Sequence, residues 1–129
     1  MKKIKKVKVK KKKTLRQLKK ELDRVFSLWI RSRDAHRCFT CDKVMGPKES
    51  QCGHFISRSH FNTRYSEVNC HVQCVSCNVF KHGNMPEYAE RLMQRYGPEI
   101  ITKLNKEKHI LKNWSTKELE ALIERYKLD

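Results

Sequence analysis

Apolar residues recur at three- and four-residue steps near the start of the chain, which is the spacing of one face of a helix. The members of this stripe are Leu15, Leu18, Leu22, Val25, Phe26 and Trp29. Thr14 and Gln17 fit a capping box in which Thr14 is the N-cap residue. The pattern therefore predicts an N-terminal helical unit over residues 14–37, whose apolar stripe reaches about Ile30 and packs into a core.

The hydrophobic pattern changes in the middle of the chain to short stretches that are typical of strands. Residues 51–56 and 68–72 are the two strand candidates, and a polar loop separates them. Because side chains alternate along a strand, Cys52, His54 and Ile56 are predicted on one face of the first strand. The middle of the chain is therefore predicted to form a strand–loop–strand unit.

Helical signals return after the second strand candidate. Residues 74 to about 82 are predicted to form a helix. Proline and glycine signals delimit two more helices, one over residues 86–97 and one that begins at Pro98. A full capping box at Ser115 opens the last helix, which is predicted to run to about Tyr126. None of these last three helices carries a constellation of catalytic type, so they are assigned to core and support.

The length of 129 residues is enough for one domain with a modest core. We predict an α+β fold in four segments. Residues 1–13 form a lysine-rich tail that is expected to be disordered, and residues 14–37 form the N-terminal helix. Residues 38–84 form a small metal-stapled core, and residues 85–129 provide helical support.

The charge balance is strongly basic, with 30 Lys and Arg against 14 Asp and Glu and a net charge of +16. Nine of the twelve residues from Lys2 to Lys13 are lysines, and subtracting these charges leaves +7 for the rest of the chain. This balance favours a polyanionic partner, and nucleic acid over a membrane surface. The candidate phosphate contacts are Lys10, Lys11, Lys12, Lys13, Arg37, Arg58, Arg64 and Lys81. A solvated basic surface without a specific partner is the alternative.

No uninterrupted apolar run is long enough to span a bilayer, and the basic N-terminus is not followed by the apolar core of a signal peptide. We therefore expect a soluble, cytoplasmic protein without a membrane partner. In such a reducing compartment, six cysteines that include two C-x2-C pairs favour metal-bound thiolates over disulfides.

Two C-x2-C pairs predict a structural zinc site, because each tight turn presents two thiolates to one tetrahedral ion. The predicted ligands are Cys38, Cys41, Cys74 and Cys77. Four thiolates close the coordination sphere, so the predicted role of this ion is folding rather than catalysis. Replacement of one thiolate by His36 or His71 is an alternative. Cys52 and Cys70 are left over and are expected to face one another across the paired strands as small buried residues, which is the commoner fate of a free cysteine.

His54 is the candidate general base, because hydrolysis of a phosphodiester needs a group that deprotonates water near neutral pH. It follows Gly53, which leaves room for a close approach of backbone or phosphate. A single histidine is more often structural than catalytic, so a catalytic role for His54 must be supported by the residues around it.

That context is a zinc knuckle, Gly-His, a loop and then Asn-x4-Cys-x2-Cys-Asn, and it resembles the HNH or ββα-metal nucleases. The resemblance implies a zinc-bound, treble-clef-like ββα-metal core. It also implies that His54 is the general base, that Asn69 braces the loop and that Asn78 binds a divalent cation, Mg²⁺ or Mn²⁺. Many members of that family have a metal ligand directly before the base, where this chain has Gly53.

Two further residues are candidates for this cation. Asn78 and His82 are four residues apart in the predicted helix, so both are expected on one side of it. Several HNH enzymes use such a helical pair, and the carboxylate of Glu67 is a further candidate ligand.

Most of the chain also resembles the NinG (Rap) family of phage recombination endonucleases. The shared pattern is F-x2-W-I-R-x-R-D, C-x2-C, GHF and R-x2-E-x-N-x-H-x-Q-C-x2-C-N-x2-K-x-GN. The resemblance implies a phage-encoded protein that acts in the host cell and nicks D-loops and Holliday junctions. A homodimer would suit symmetric cleavage of a four-way junction. The chain differs from the family pattern in its lysine tail and at Gln51, where an acidic residue is expected.

Two alternatives from other functional classes remain at this point. The first is a non-catalytic zinc module that binds DNA through its basic surface. The second is a scaffold that recruits recombination proteins through the C-terminal helices. Cleavage in the presence of added metal separates the first from an enzyme, and the salt dependence of DNA binding separates the second.

Overall fold

The first helix is the longest element of the computed structural model, which describes residues 11–128. Helix α1 spans Leu15–Arg33 and begins at the predicted capping box, with both Thr14 and Gln17 hydrogen bonds present. Its buried side consists of Leu18, Leu22, Val25, Phe26 and Ile30. The predicted apolar stripe is therefore confirmed. The prediction of a disordered tail falls mostly on residues 1–10, which lie outside the described residues.

The sheet has two antiparallel strands, β1 at Ser50–His54 and β2 at Cys70–Cys74. The register places His54 opposite Cys70 and Gly53 opposite His71. A short helix, α2 at Phe61–Arg64, interrupts the loop between the strands. Both strands are offset from their predicted bounds, and the Asn69 side chain bonds the backbone of Ile56 where β1 was predicted to continue.

The segment after β2 differs from the regular helix predicted to about residue 82. It is a π-helical turn at Ser76–Phe80, and the backbone of His82 then takes a left-handed conformation, with φ of 50°. The backbone N–H of Gly83 bonds the carbonyl of Cys77, and Gln73 Nε2 donates to the carbonyl of Gly83 at 2.8 Å. These bonds turn the chain back towards the sheet, so the helical prediction for residues 81 and 82 was wrong.

Three helices complete the described chain: α3 at Met85–Tyr96, α4 at Ile100–Lys108 and α5 at Thr116–Tyr126. All three follow the predicted proline, glycine and capping signals. Helix α5 begins at the Ser115 capping box and packs along α1, while α3 packs against α4.

The described residues thus form a small α+β fold in which the sheet lies between two helical groups. One buried cluster joins α1, α5 and the sheet through side chains such as Phe26, Tyr126 and Cys70. Another joins α3 and α4 through Tyr88 and Leu92, and the Tyr88 hydroxyl donates to the Gly53 carbonyl of β1 at 2.8 Å. Within residues 11–128, every helix is too short or too polar to cross a bilayer.

Candidate active site and metal centre

The four cysteines predicted to bind zinc converge in the structure. The Sγ atoms of Cys38, Cys41, Cys74 and Cys77 all lie within 4.8 Å of one another. The Cys41 and Cys74 sulfurs are 3.7 Å apart, and zinc–sulfur bonds of about 2.3 Å in a tetrahedron place sulfurs about 3.8 Å apart. Three of the four thiols are buried, and Cys41 is exposed. The donor set and its spacing fit a closed structural zinc site.

The two histidines that were alternative zinc ligands make polar contacts with other residues. His36 Nδ1 lies 2.9 Å from the hydroxyl of Ser50. His71 is buried, and its two ring nitrogens contact the hydroxyls of Tyr88 at 3.3 Å and Tyr96 at 2.8 Å. The candidate zinc ligands in this structure are therefore the four thiols alone.

His54 is the last residue of β1 and is partly buried. Its Nε2 lies 2.9 Å from the backbone carbonyl oxygen of Arg64. A carbonyl oxygen only accepts hydrogen bonds, so Nε2 carries the proton and donates it to this contact. In the neutral ring, the free electron pair therefore resides on Nδ1, which is the atom able to take a proton from water.

The surroundings keep His54 neutral. Burial lowers its pKa, the nearby charges of Arg58 and Arg64 lower it further, and the net pKa is about 4. The hydrogen bond to the Arg64 carbonyl and the charge of Asp23 act in the opposite direction but do not outweigh burial. At neutral pH the ring is therefore an unprotonated base rather than an imidazolium.

A cavity of about 330 Å³ adjoins His54, between α1 and β1. Its lining includes Asp23, Arg31, Cys52 and Arg58. Arg31 donates to the carbonyl of Ser50 at 2.9 Å, and its buried Nε has no hydrogen-bond partner within residues 11–128. The cavity therefore brings a neutral imidazole and cationic side chains to one recess.

Asp23 and Arg64 form an ion pair in this wall. Arg64 donates to both Asp23 oxygens, at 2.9 and 2.6 Å, and Arg58 adds a contact at 3.2 Å. Burial raises the pKa of Asp23, but the Arg64 hydrogen bonds and charge more than offset it, and the net pKa lies below its ordinary value. Arg64 was predicted to contact DNA, but its guanidinium is mostly buried and is occupied by Asp23.

Asn69 is fully buried and braces the loop between the strands. Its Oδ1 accepts from the backbone N–H of Ile56 at 2.7 Å. Its Nδ2 donates to the carbonyls of Ile56 at 3.0 Å and Thr63 at 3.2 Å. These contacts hold parts of the loop together around Asn69.

The three residues predicted to hold a divalent cation have separate surroundings. Asn78 Nδ2 donates to Gln51 Oε1 at 2.8 Å, beside β1. Glu67 accepts from Tyr126 at 3.0 Å and from Arg125, so its carboxylate faces α5. The left-handed backbone of His82 removes the helical geometry on which its pairing with Asn78 was predicted.

Mg²⁺ and Mn²⁺ prefer oxygen ligands, carboxylates above all. Within residues 11–128, neither group of His, Cys, Asp and Glu side chains that is close enough to hold an ion includes a carboxylate. The described side chains therefore do not fit a carboxylate cage for either of these cations.

Gly53 precedes His54 on the opposite face of β1. A Cβ at this position would lie 1.9 Å from Oε1 of Gln73. Gln73 itself is fully buried and donates to Thr40 and Gly83. A side chain at position 53 would therefore collide with this bonded glutamine, which explains why the expected metal ligand before the base is a glycine here.

The other residues predicted to contact phosphate differ in whether their side chains are already paired with an acidic residue. Lys81 is exposed, and Arg37 is exposed with a 3.6 Å contact to Asp42. Lys11 and Lys12 are exposed, whereas Lys13 pairs with Glu21 at 2.6 Å. The prediction for Lys10 lies outside the described residues.

A second group of metal-ligating side chains was not predicted as a site. Cys52, His54 and Cys70 place their ligand atoms within 4.8 Å of one another. The alternation of side chains along a strand predicted Cys52 and His54 on one face of β1. Cys70 was expected to face Cys52 across the strands, whereas the register sets it opposite His54 and sets Val72 opposite Cys52.

Comparison with known proteins gives a match over the whole chain. The family model described as "Bacteriophage Lambda NinG protein" matches residues 1–129. "Protein ninG" of Escherichia phage lambda is 28% identical over 109 residues, which cover 83% of this chain and 52% of the relative. "Protein ninG" of Salmonella phage P22 is also 28% identical over 109 residues, which cover 83% of this chain and 53% of the relative.

The chain spans about half the length of the curated relatives it matches. No solved structure matches it.

Proposed function

The chain belongs to the NinG family of bacteriophage proteins, and from this membership we propose that it is a metal-dependent endonuclease that nicks branched DNA. The proposed substrates are recombination intermediates such as D-loops and Holliday junctions. The proposed fold is an HNH-like, treble-clef-like ββα-metal core. The sequence of elements supports it, because a zinc knuckle, two antiparallel strands and a helical turn follow one another around His54.

One observation carries the proposal: His54 is a neutral imidazole with a fixed tautomer at the wall of a cationic cavity. The Arg64 carbonyl holds the proton on Nε2, so Nδ1 is left to accept a proton from the attacking water. A general base must be unprotonated at the working pH and positioned by a second group. His54 meets both conditions.

The cavity charges suit a phosphodiester. Arg58 is the more exposed of the two arginines that contact Asp23, with 57% of its side chain accessible. A phosphate that entered the recess would meet Arg58 and Arg31, and preorganised cations stabilise the charge that develops in phosphoryl transfer. The negative phosphate would also raise the low pKa of His54 and so make the ring a stronger base in the complex.

Asn69 and Asn78 have supporting roles in this proposal. Asn69 positions the loop that carries Arg58, and Asn78 extends the polar edge beside Gln51. The metal dependence rests on the family resemblance, because the described residues do not assemble a carboxylate cage. Nicked products are expected to carry 5′-phosphate and 3′-hydroxyl ends.

The same resemblance implies that the protein is phage-encoded and acts in the cytoplasm of the host cell, and a twofold dimer would suit symmetric cleavage of a four-way junction. These are proposals for the whole protein. DNA binding through Arg37, Lys81 and the lysine tail would neutralise phosphates and should therefore weaken as salt rises.

A nicking assay on four substrates tests the proposed function. Zinc-loaded protein is incubated with Holliday-junction, D-loop, flap and linear DNA in a series of Mg²⁺ and Mn²⁺ concentrations. The proposal expects metal-dependent nicks on the branched substrates in preference to linear duplex. DNA binding without any nick would instead indicate a non-catalytic zinc module, and an absence of salt-sensitive DNA binding would indicate a scaffold.

A further inference from the structure

The side chains around His54 form a ligand set of their own. Cys52 and His54 alternate on β1, and Cys70 lies opposite His54 in the register. Their ligand atoms lie within 4.8 Å of one another. Tetrahedral zinc with bonds of about 2.0 to 2.3 Å requires ligand separations of roughly 3.3 to 3.8 Å. Side-chain movements of about 1 Å would therefore close the set around one ion.

The donor atoms of this ligand set determine which metal ion it would bind. Two thiols and an imidazole are soft to borderline donors that suit Zn²⁺ and do not suit Mg²⁺. Both Cys52 and Cys70 are free thiols. They are also separate from the four cysteines of the structural centre, so both sites can be filled at the same time.

The fourth coordination position would be open. Cys52 and His54 line the cavity of about 330 Å³ beside α1, and a water molecule needs only about 30 Å³. A site with three protein ligands and one open position surrounds the ion less fully than a site of four thiolates does. The set beside His54 is therefore expected to hold zinc more weakly than the structural centre.

We propose that Cys52, His54 and Cys70 form a second zinc site, and that zinc bound there switches off the proposed nuclease. The inhibitory part rests on the proposed function, whereas the binding part stands on the ligand geometry alone.

Competition for one electron pair explains the inhibition. With Nε2–H held by the Arg64 carbonyl, the only free electron pair of His54 is on Nδ1. Zinc coordinated through Nδ1 would occupy the electron pair that otherwise accepts the proton of the attacking water. Zinc coordinated through Nε2 would force the ring proton onto Nδ1. In both arrangements His54 can no longer accept a proton from water.

Metal titration of the full chain under reducing conditions tests the binding part. Wild type is expected to bind two equivalents of Zn²⁺, the second at least tenfold more weakly than the first. With Co²⁺ as the probe, the second equivalent should add sulfur-to-cobalt charge-transfer absorbance. Cys52→Ser and His54→Gln should each weaken the second equivalent at least tenfold and leave the first unchanged.

His109→Gln is the matched control, because His109 is exposed at the end of α4, and it should bind two equivalents like wild type. Retention of the first equivalent by Cys52→Ser shows that the variant is folded. One equivalent in wild type, or a second equivalent that neither Cys52→Ser nor His54→Gln weakens, would overturn the proposal.

Nicking assays with added Zn²⁺ test the inhibitory part. Loss of wild-type activity should follow occupation of the second site, and Cys52→Ser should need at least tenfold more zinc to lose half of its own zinc-free rate. Two bound equivalents with undiminished nicking would overturn the inhibition alone. Two bound equivalents in a protein that never nicks would overturn both the inhibition and the proposed function, and leave the second zinc site standing.

Discussion

His54 and Arg64 are joined by a hydrogen bond from the imidazole Nε2 to the backbone carbonyl at 2.9 Å. The same Arg64 uses its guanidinium to hold Asp23 from α1. One residue of the loop therefore fixes the tautomer of the candidate base and ties the cavity wall to the first helix. This relationship links the packing of α1 to the proposed chemistry.

The low pKa of His54 predicts a loss of stability in acid. The pKa is about 4 in the folded protein against 6.5 ordinarily, so the unfolded chain takes up the proton first and stability falls as pH drops from about 6.5 towards 4. Between pH 7.5 and 5 the loss from this residue is about 2 kcal/mol. Urea unfolding with one equivalent of zinc should show a smaller loss in His54→Gln than in wild type. Equal losses in the two proteins would refute the assigned pKa.

Arg58 and Arg64 should behave differently despite their proximity. Arg58 has 57% of its side chain accessible and Arg64 15%. Arg58→Ala is expected to weaken DNA binding and to reduce the salt slope by about one, with little change in stability. Arg64→Ala removes the partner of Asp23 and should lower the free energy of unfolding by about 1–3 kcal/mol. A salt series and urea unfolding of both variants measure these effects, and the reverse assignment would contradict the structure.

Asn69 should be among the most sensitive polar residues of the fold. Asn69→Ala removes three buried hydrogen bonds to the loop backbone and should lower the free energy of unfolding by about 2–4 kcal/mol. Asn62→Ala is a matched control, because Asn62 makes one part-buried contact to Glu107. This variant should lower the free energy of unfolding by about 1 kcal/mol. Similar losses in both variants would argue against a bracing role for Asn69.

Gly53 should be intolerant of even a methyl group. Gly53→Ala forces Gln73 to move and is expected to lower the free energy of unfolding by about 1–3 kcal/mol. Truncation of the glutamine removes the clash, so the double variant Gly53→Ala, Gln73→Ala should lose less than the sum of the single variants. Strict additivity in this cycle, measured by urea unfolding, would show that the collision does not occur.

Local signals in the sequence were sufficient for most of the fold. The capping boxes at Thr14 and Ser115 fixed the starts of α1 and α5, and the cysteine spacing predicted the four thiols that converge in the structure. Each of these signals depends on only a few residues that are close together in the sequence. The match of the family model to residues 1–129 confirmed the NinG resemblance.

The remaining features depend on contacts between distant parts of the chain. The return of the chain at Gly83 requires Gln73, and the burial of Arg64 requires Asp23 on α1. The third member of the ligand set at His54 requires the register that places Cys70 opposite it. No periodicity or spacing rule encodes such pairings, so they became visible only in three dimensions.

The most direct test of the proposed chemistry compares His54→Gln with wild type and with His109→Gln on a branched DNA substrate. The variants are matched for zinc content, and DNA affinity is measured beside the rate of nicking in Mg²⁺ or Mn²⁺. We predict that His54→Gln binds DNA like wild type but nicks it at least 100-fold more slowly, while His109→Gln keeps its activity. Nicking by His54→Gln at the wild-type rate would contradict the role of His54 as the general base.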